Sequence, residues 1–396
     1  MTQRLYYENA YIREFDAVVT GCVKEKDHFR IMLDRSAFYP EGGGQSGDRG
    51  FLTRQDGTRL DVSDTREDGG DVYVVCSESV PVGEQIHGVT DWIFRFDRMQ
   101  NHSGEHIVSG LIHETYGYNN VGFHMSSDRM TIDLDGEISD EGLDEIERRA
   151  NEIVWADSVI RTDVYSHEEA AEVEYRSKKE LMGDVRVVTI PGADVCACCG
   201  THVARTGEIG IIKLLSHERL RGGIRIEMMC GRWAYEYLAL IFRQNHEVSA
   251  CLSSRMHQTS EAAKRMAEEN TRLKGDLIGM LYAAIDRKSE ELEGAGDVAV
   301  FVAGQDSTAA QKLTAKVMET CGGIAFSFAG SDDDGYKYAV GQENGSLKEL
   351  VADMNRSLDG RGGGRPYFQQ GSVTAKREQI EAFLTGRFPE IKIDLL

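Results

Sequence analysis

Nothing in this 396-residue chain approaches the ~18 consecutive apolar residues that cross a bilayer as a helix, so no membrane partner is expected. The opening stretch, MTQRLYYENAYIREF, lacks the apolar centre of an export signal, and a cytoplasmic protein is expected. A disulfide framework is missing too: of eight cysteines, three crowd into Cys196–Cys199 and five are scattered. In a cytoplasmic chain such a cluster points to metal binding or reactivity. Positive charge is in deficit. The chain has 45 Lys and Arg against 66 Asp and Glu, a formal net charge of −21, which argues against a general nucleic-acid binder. Proline is absent from Ala234 to Leu292, and no internal repeat or low-complexity tail is found.

What is present is unevenly distributed. The basic residues Arg205, Lys213, Arg219, Arg221, Arg225 and Arg232 gather between Val203 and Arg232. Arg356, Arg361, Arg365, Lys376 and Arg377 gather between Met354 and Arg377, opposed by Asp359 alone. Two basic segments on an acidic protein suit one specific polyanion better than indiscriminate binding. The length is too great for one ordinary core and predicts two to four domains.

Residues 1–91 read as short alternating strands separated by Gly and Asp turns, a β-barrel domain carrying a glycine-rich loop. Residues 92–232 read as an α+β domain. A helix over 92–115 is followed by the strand RMTIDLDG and by an amphipathic helix capped by Ser139, with Leu143, Ile146, Ala150, Ile153 and Val154 on one side. Further strands follow. Residues 233–293 read as a helical arm whose heptads break near Ser253–Ser254 and are diluted by Gly275 and Gly279. Residues 294–396 resume strand and helix alternation as a small α/β domain. The fold class is α+β.

Chemistry concentrates in three places. In NHSGEH, His102 and His106 are four residues apart on one helical face, able to hold one Zn²⁺ through neutral imidazoles. Alone, that spacing is weak. In DVCACCGTHVARTGEIG, Cys198 and His202 form a second four-residue pair across a Gly-Thr turn. Three histidines and a thiolate make a tetrahedral site, or three ligate and a position stays open. Either Cys196 or Cys199 could replace Cys198. The segment HSGEH also satisfies H-x-x-E-H, the inverted zincin pattern, with Glu105 as general base. That zinc metallopeptidase leaves the cysteine-rich segment unexplained. Third, FYPEGGGQSGDRG carries successive glycines, among them Gly43 and Gly44, whose backbone N–H groups could approach a ligand closely, next to Gln45.

FYPEGGGQSGDRG, NHSGEH, CCGTHVARTGEIG and GGIRIEMMCG stand in the order and approximate spacing of the editing region of alanyl-tRNA synthetases. The chain resembles the long form of the freestanding alanyl-tRNA editing proteins, the AlaX family, over residues 1–232. A looser likeness continues in GRGGGRPYFQQGS, the glycine-rich signature of the synthetase's C-terminal domain. The resemblance implies zinc held by His102, His106, Cys198 and His202. It places Gln45 in the editing pocket and gives Arg225 and Glu227 a supporting role. Two departures stand out. Cys199 replaces a glycine beside the metal, and Tyr367-Phe368-Gln369 replaces an acidic residue and alanine.

The implied activity is hydrolysis, without charging, of the ester joining serine or glycine to alanine tRNA. Gln45 or a nearby hydroxyl would hydrogen-bond the serine side chain, so that alanyl esters leave those groups unpaired. Gly43, Gly44, Arg225, Arg361, Gly363 and Arg365 are the expected contacts to substrate or RNA, and Gln45 and Glu105 the expected catalytic groups. Two other readings stand beside this one: the peptidase, and a metal-stabilised tRNA-binding protein with no turnover. The last domain is expected to raise tRNA affinity, with a homodimer through the arm or that domain as the competing role.

Overall fold

A computed structural model describes residues 1–126, 128–177, 183–303 and 307–396. The chain forms two compact units, Met1–Glu247 and Val248–Leu396. The first opens with a closed six-stranded antiparallel barrel, ordered Glu14–Glu25, His28–Leu33, Asp71–Cys76, Arg59–Asp68, Gly50–Arg54, Gln85–Thr90. Alternate side chains along these strands, among them Val19, Ile31, Leu33, Leu52, Val62 and Val74, fill its interior.

The glycine-rich loop is a two-residue hairpin turn. Gly42 and Gln45 exchange both backbone hydrogen bonds, each at 3.0 Å, and Gly43 and Gly44 have φ of +59° and +86°. Both central residues need the left-handed region, which explains the glycines without a ligand. A Cβ on Gly44 would also lie 2.3 Å from the Phe123 ring, so the turn packs against the strand Asn120–Met125.

The helix Trp92–Tyr116 begins at Asp91, whose carboxylate accepts from the Phe94 N–H, and ends on Gly117 at φ +74°. It is not amphipathic in the usual sense. Every residue from Arg95 to Ile112 except Phe96 is buried, including Arg95, Asp97, Asn101, Ser103 and Glu105. A helix can carry that many polar groups inside only if they find partners there. Arg95 does so across the barrel: its guanidinium bonds the Asp48 carboxylate and the Ala37 and Ala10 carbonyls.

On its apolar side this helix packs with the helix Asp140–Trp155 against a four-stranded antiparallel sheet. The strands are ordered Ile212–Leu220, Gly223–Cys230, Met130–Leu134, Asn120–Met125. Ser139 caps the second helix, accepting from the Gly142 N–H, and Leu143, Ile146, Ala150 and Val154 are buried. A three-stranded sheet, Arg161–Tyr165, Val185–Ile190 and Asp194–Ala197, completes this part.

The helices Gly231–Cys251 and Thr259–Glu291 occupy the predicted arm, and the break near Ser253–Ser254 falls between them. The periodic apolar residues are not buried: Ile241, Val248, Leu273, Leu277 and Met280 are exposed. The second unit carries a six-stranded mixed sheet, ordered Gly360–Arg365, Phe368–Val373, Gly335–Gly341, Gly322–Ser331, Gly296–Ala303, Lys392–Leu395, with separate apolar clusters that include Phe326, Tyr338 and Val340, and Val298, Val300 and Leu313.

The segment GRGGGR, which holds the expected RNA contacts Arg361, Gly363 and Arg365, is an edge strand of this sheet. Gly362 and Gly371 oppose each other in register, and a Cβ on either would come within 2.5 Å of the Tyr338 hydroxyl. Two of these glycines therefore have a packing reason, whereas Gly363 is open. No described helix is long and apolar enough to cross a membrane.

Candidate metal centre

His102, His106, Cys198 and His202 come together in the first unit, with one donor atom of each within 4.8 Å of the others. The Cys198 Sγ lies 3.5 Å from His102 Nε2 and 3.4 Å from His202 Nε2. Tetrahedral zinc with bonds of ~2.0–2.3 Å keeps its ligand atoms ~3.3–3.8 Å apart, so this donor set fits the ion in both chemistry and spacing. Helical periodicity brings His102 and His106 onto one face. The turn after the strand Asp194–Ala197 brings Cys198 and His202 to meet them. Gly200 is obligatory there, since a Cβ would stand 2.0 Å from the His102 ring.

Each imidazole is held at its other nitrogen. His102 Nδ1 donates to Gln45 Oε1 at 3.0 Å; that oxygen must be the acceptor because it also takes the Thr201 N–H, while Gln45 Nε2 donates to the Thr201 hydroxyl. His106 Nδ1 donates to Asp194 Oδ2 at 2.8 Å. His202 Nδ1 lies 3.2 Å from the Ser103 hydroxyl, which accepts from the Val203 N–H. With all three Nδ1 positions occupied, the Nε2 lone pairs are left to converge on the thiol. Outer partners of this kind fix ring orientation and raise ligand basicity.

The electrostatics favour a thiolate at Cys198 and a neutral imidazole at His202. At His106, by contrast, burial is outweighed by the charge of Cys198 and the hydrogen bond to Asp194, which hold it well above the ordinary imidazole value. Burial alone would raise the Cys198 thiol, but the three surrounding imidazoles hold its pKa well below the ordinary thiol value. Burial, helped by the neighbouring His102, pushes His202 down to about 3, so it stays a neutral ligand. Cys196 is different. Burial raises it to about 11, and it groups with Asp194 and His106 instead. Cys199 is exposed. Of the three clustered cysteines, Cys198 alone combines convergence on two imidazole Nε2 atoms with a thiolate-favouring environment.

Asp194 is the residue that reading the motifs missed. It is buried at the strand's start, between His106 and Arg176, which donates from Nε and Nη2 at 2.8 Å each. Burial opposes its ionisation, yet these two donors hold its pKa below the usual carboxylate value. The helix approaches it closely at Gly110, where a Cβ would meet the Ala193 carbonyl at 2.3 Å. The segment PGADVCACC carries no spacing that ties Asp194 to His106. We expect Asp194→Asn to weaken metal affinity about 10–100-fold, measured by competition with a chromophoric chelator; unchanged affinity would make Asp194 a packing residue only.

The remaining expected residues divide. Gln45 is in the cluster, fully buried, but its amide oxygen already takes two hydrogen bonds and its nitrogen donates to Thr201. Glu105 is adjacent. Its Oε1 accepts from Ser109 and Asn120, and its Oε2 lies 4.0 Å from His106 Nε2. Gly44 packs against Phe123, whose ring stacks on His102 at 5.4 Å, whereas a Cβ on Gly43 would meet nothing within 4 Å. Arg225 and Glu227 do not join it. Strand alternation turns Ile224, Ile226 and Met228 inward, so Arg225 pairs with Asp133 and Glu227 with Arg129 on the outer face. Arg361, Gly363 and Arg365 belong to the second unit.

Comparison with known proteins covers the same parts. The family described as threonyl and alanyl tRNA synthetase second additional domain matches residues 185–227, which hold Cys198 and His202. The class II (A) tRNA synthetase family matches residues 5–94, which hold the glycine-rich turn. Alanyl-tRNA editing protein AlaX-L of Pyrococcus horikoshii is 29% identical across 96% of this chain and 96% of its own. Over nearly its full length this chain is similar to a freestanding alanyl-tRNA editing protein. A second such editing relative, Aarsd1 of Danio rerio, is 23% identical with the same coverage of both chains. The alanine–tRNA ligase of Methanothrix thermoacetophila is 30% identical over 97% of this chain, which spans only 44% of that ligase.

Proposed function

We propose that this protein is a metal-dependent deacylase that edits mischarged alanine tRNA in trans, hydrolysing the ester of serine, and of glycine, at the tRNA 3′ end without charging it. The observation that carries this reading is the buried three-histidine, one-thiol centre with every Nδ1 locked, in a chain similar to AlaX-L over nearly the full length of both.

An aminoacyl ester is already labile, so the catalyst chiefly has to place water and steady the tetrahedral oxyanion. A bound zinc would supply Lewis acidity for that charge or for the water. The chain's own groups do the rest. Ser109 and Asn120 anchor Glu105 through Oε1, leaving Oε2 turned toward the centre to take a proton from water. Gln45 occupies the Thr201 hydroxyl as acceptor, which leaves the Thr201 proton free to donate to a serine side chain. An alanyl ester would leave that donor unpaired, the basis of rejection.

The peptidase reading needs a distant carboxylate as third ligand. Here Cys198 and His202 stand where it would bind, which disfavours it. A non-catalytic tRNA binder is separated by turnover. The test is deacylation of seryl-, glycyl- and alanyl-tRNA by the zinc-loaded protein, with a peptide panel alongside. Release of serine well above alanine supports the reading, and peptide cleavage without deacylation refutes it.

For the second unit we propose tRNA binding through the edge strand Gly360–Arg365, where Arg361 and Arg365 are exposed beside open Gly363. Arg361→Ala with Arg365→Ala should flatten the slope of log affinity against log salt by roughly 0.7–0.9 for each phosphate that is no longer neutralised. An unchanged slope, with the protein turned from dimer to monomer, would make this unit an assembly device instead.

A further inference from the structure

The three clustered cysteines stand in three different surroundings. Cys196 is buried in the strand Asp194–Ala197 and groups with His106 and Asp194. Cys198 turns inward, its Sγ 3.5 Å from His102 Nε2 and 3.4 Å from His202 Nε2. Cys199, the next residue, is exposed. It lies on the wall of a cavity of about 570 Å³ that His202 and Arg186 also line. Solvent therefore reaches the edge of the donor set, and the side chain that meets it there is a second thiol, one peptide away from the first.

Long-range contacts hold Cys198 in place. Its N–H donates to the Arg186 carbonyl at 2.9 Å, its carbonyl accepts from Arg186 Nη1 at 2.7 Å, and its sulfur accepts from the Gly200 N–H at 3.3 Å. Neither Cys198 nor Cys199 lies in a strand or helix. Exposure rules out a packing role for the Cys199 side chain, and its thiol is not one of the four converging donors. What remains for a thiol in that place is chemistry with its neighbour.

We propose that Cys198 and Cys199 form an oxidant-sensitive release for the metal: hydrogen peroxide joins the two sulfurs as a disulfide, and the centre loses its thiolate and with it the zinc. Peroxide entering the cavity meets Cys199 first. The Cys199 sulfur attacks the O–O bond and becomes a sulfenic acid, and the departing oxygen takes the thiol proton and leaves as water. The Cys198 thiolate then attacks that sulfur. The S–S bond forms, and hydroxide leaves with the electron pair of the S–O bond. Two electrons have passed from the two sulfurs to the peroxide. The imidazoles of His102, His106 and His202 remain, one donor short of the closed tetrahedral set. Consecutive Cα atoms are ~3.8 Å apart, closer than the ~4.4–6.8 Å usual for disulfides, so the bond is strained. Strained, exposed disulfides are the readily reduced ones, which makes the release reversible by a small thiol. The proposal rests on the metal reading of the centre and not on deacylation.

Hydrogen peroxide is the probe, and the readouts are metal and mass. Zinc-loaded full-length protein of measured metal content is treated with a limiting amount of peroxide in the presence of a chromophoric chelator. Trypsin, cutting after Arg186 and Arg205, puts all three cysteines on one peptide. The parent should release most of its zinc. That peptide should become two hydrogens lighter, with fragment ions placing the bond between Cys198 and Cys199. A thiol reductant followed by zinc should restore the full metal content. Cys199→Ala should keep its zinc at the same dose. The release is refuted if the parent keeps its zinc, if Cys199→Ala loses zinc as readily, or if the bond joins Cys196. Protein that holds no zinc before peroxide is added refutes the metal centre, and the release with it.

Discussion

His106→Ala and Cys198→Ala are each expected to lose bound zinc on dialysis against a mild chelator and to lose deacylation by about 10³-fold. That magnitude takes the ion's contribution as several kcal/mol, at about 1.4 kcal/mol per tenfold. The two losses should be inseparable because the donors form one closed set: each histidine points Nε2 inward only because Gln45, Asp194 or Ser103 holds Nδ1. Cys199→Ala is the control. Its thiol is exposed, and its substitution should leave zinc near stoichiometric. Metal analysis beside single-turnover hydrolysis decides the matter. Full activity in verified metal-free protein would overturn it, and zinc lost from Cys199→Ala but kept in Cys198→Ala would reverse the ligand assignment.

Stability of the first unit should depend most sharply on a pair far from any chemistry. The side chains of Arg95 and Asp48 are 0% and 1% exposed and bonded to each other. Asp48 also accepts from the Tyr39 N–H at 2.6 Å, and Arg95 donates as well to two carbonyls, from Nη1 to Ala10 and from Nη2 to Ala37. Removing one partner strands a buried charge, so Arg95→Ala or Asp48→Ala should cost about 3–5 kcal/mol in unfolding free energy. Arg95→Met with Asp48→Leu should cost much less, since no charge is left alone. Denaturant titration of Arg95→Met, of Asp48→Leu and of the double forms the cycle that tests this, and additive losses would show that the two side chains act independently. A functional consequence follows as well. Asp48 lies three residues after Gln45, so loosening this pair should also loosen the Gln45 amide that orients His102.

Much of the site is legible in the residue order, and the reason is local. Two ligand pairs with a four-residue spacing need only a helical face and one tight turn, both short-range features that residue types reveal. The helix Trp92–Tyr116, the Ser139 cap and the paired strands after Ile209 are legible for the same reason. The glycine-rich stretches leave more than one reading open, a hairpin turn or a ligand contact, because glycine signals backbone freedom and not its use. Gly43 and Gly44 serve a hairpin turn, and Gly362 makes room for Tyr338 in a sheet.

Sequence alone determined the donor chemistry: three imidazoles and a thiol, in two pairs whose geometry the local backbone dictates. It also determined that strand-rich and helix-rich stretches alternate along the chain, because side-chain periodicity is a local property. Tertiary structure decided which cysteine of three converges on the imidazoles, how each imidazole is oriented, and that a helix of polar residues would be buried. Those outcomes rest on contacts between residues far apart in sequence, such as Gln45 with His102 and Asp194 with His106, 57 and 88 positions away. No periodicity encodes such pairs. They exist because a buried polar group must find a partner, and only the folded chain determines which partner is within reach.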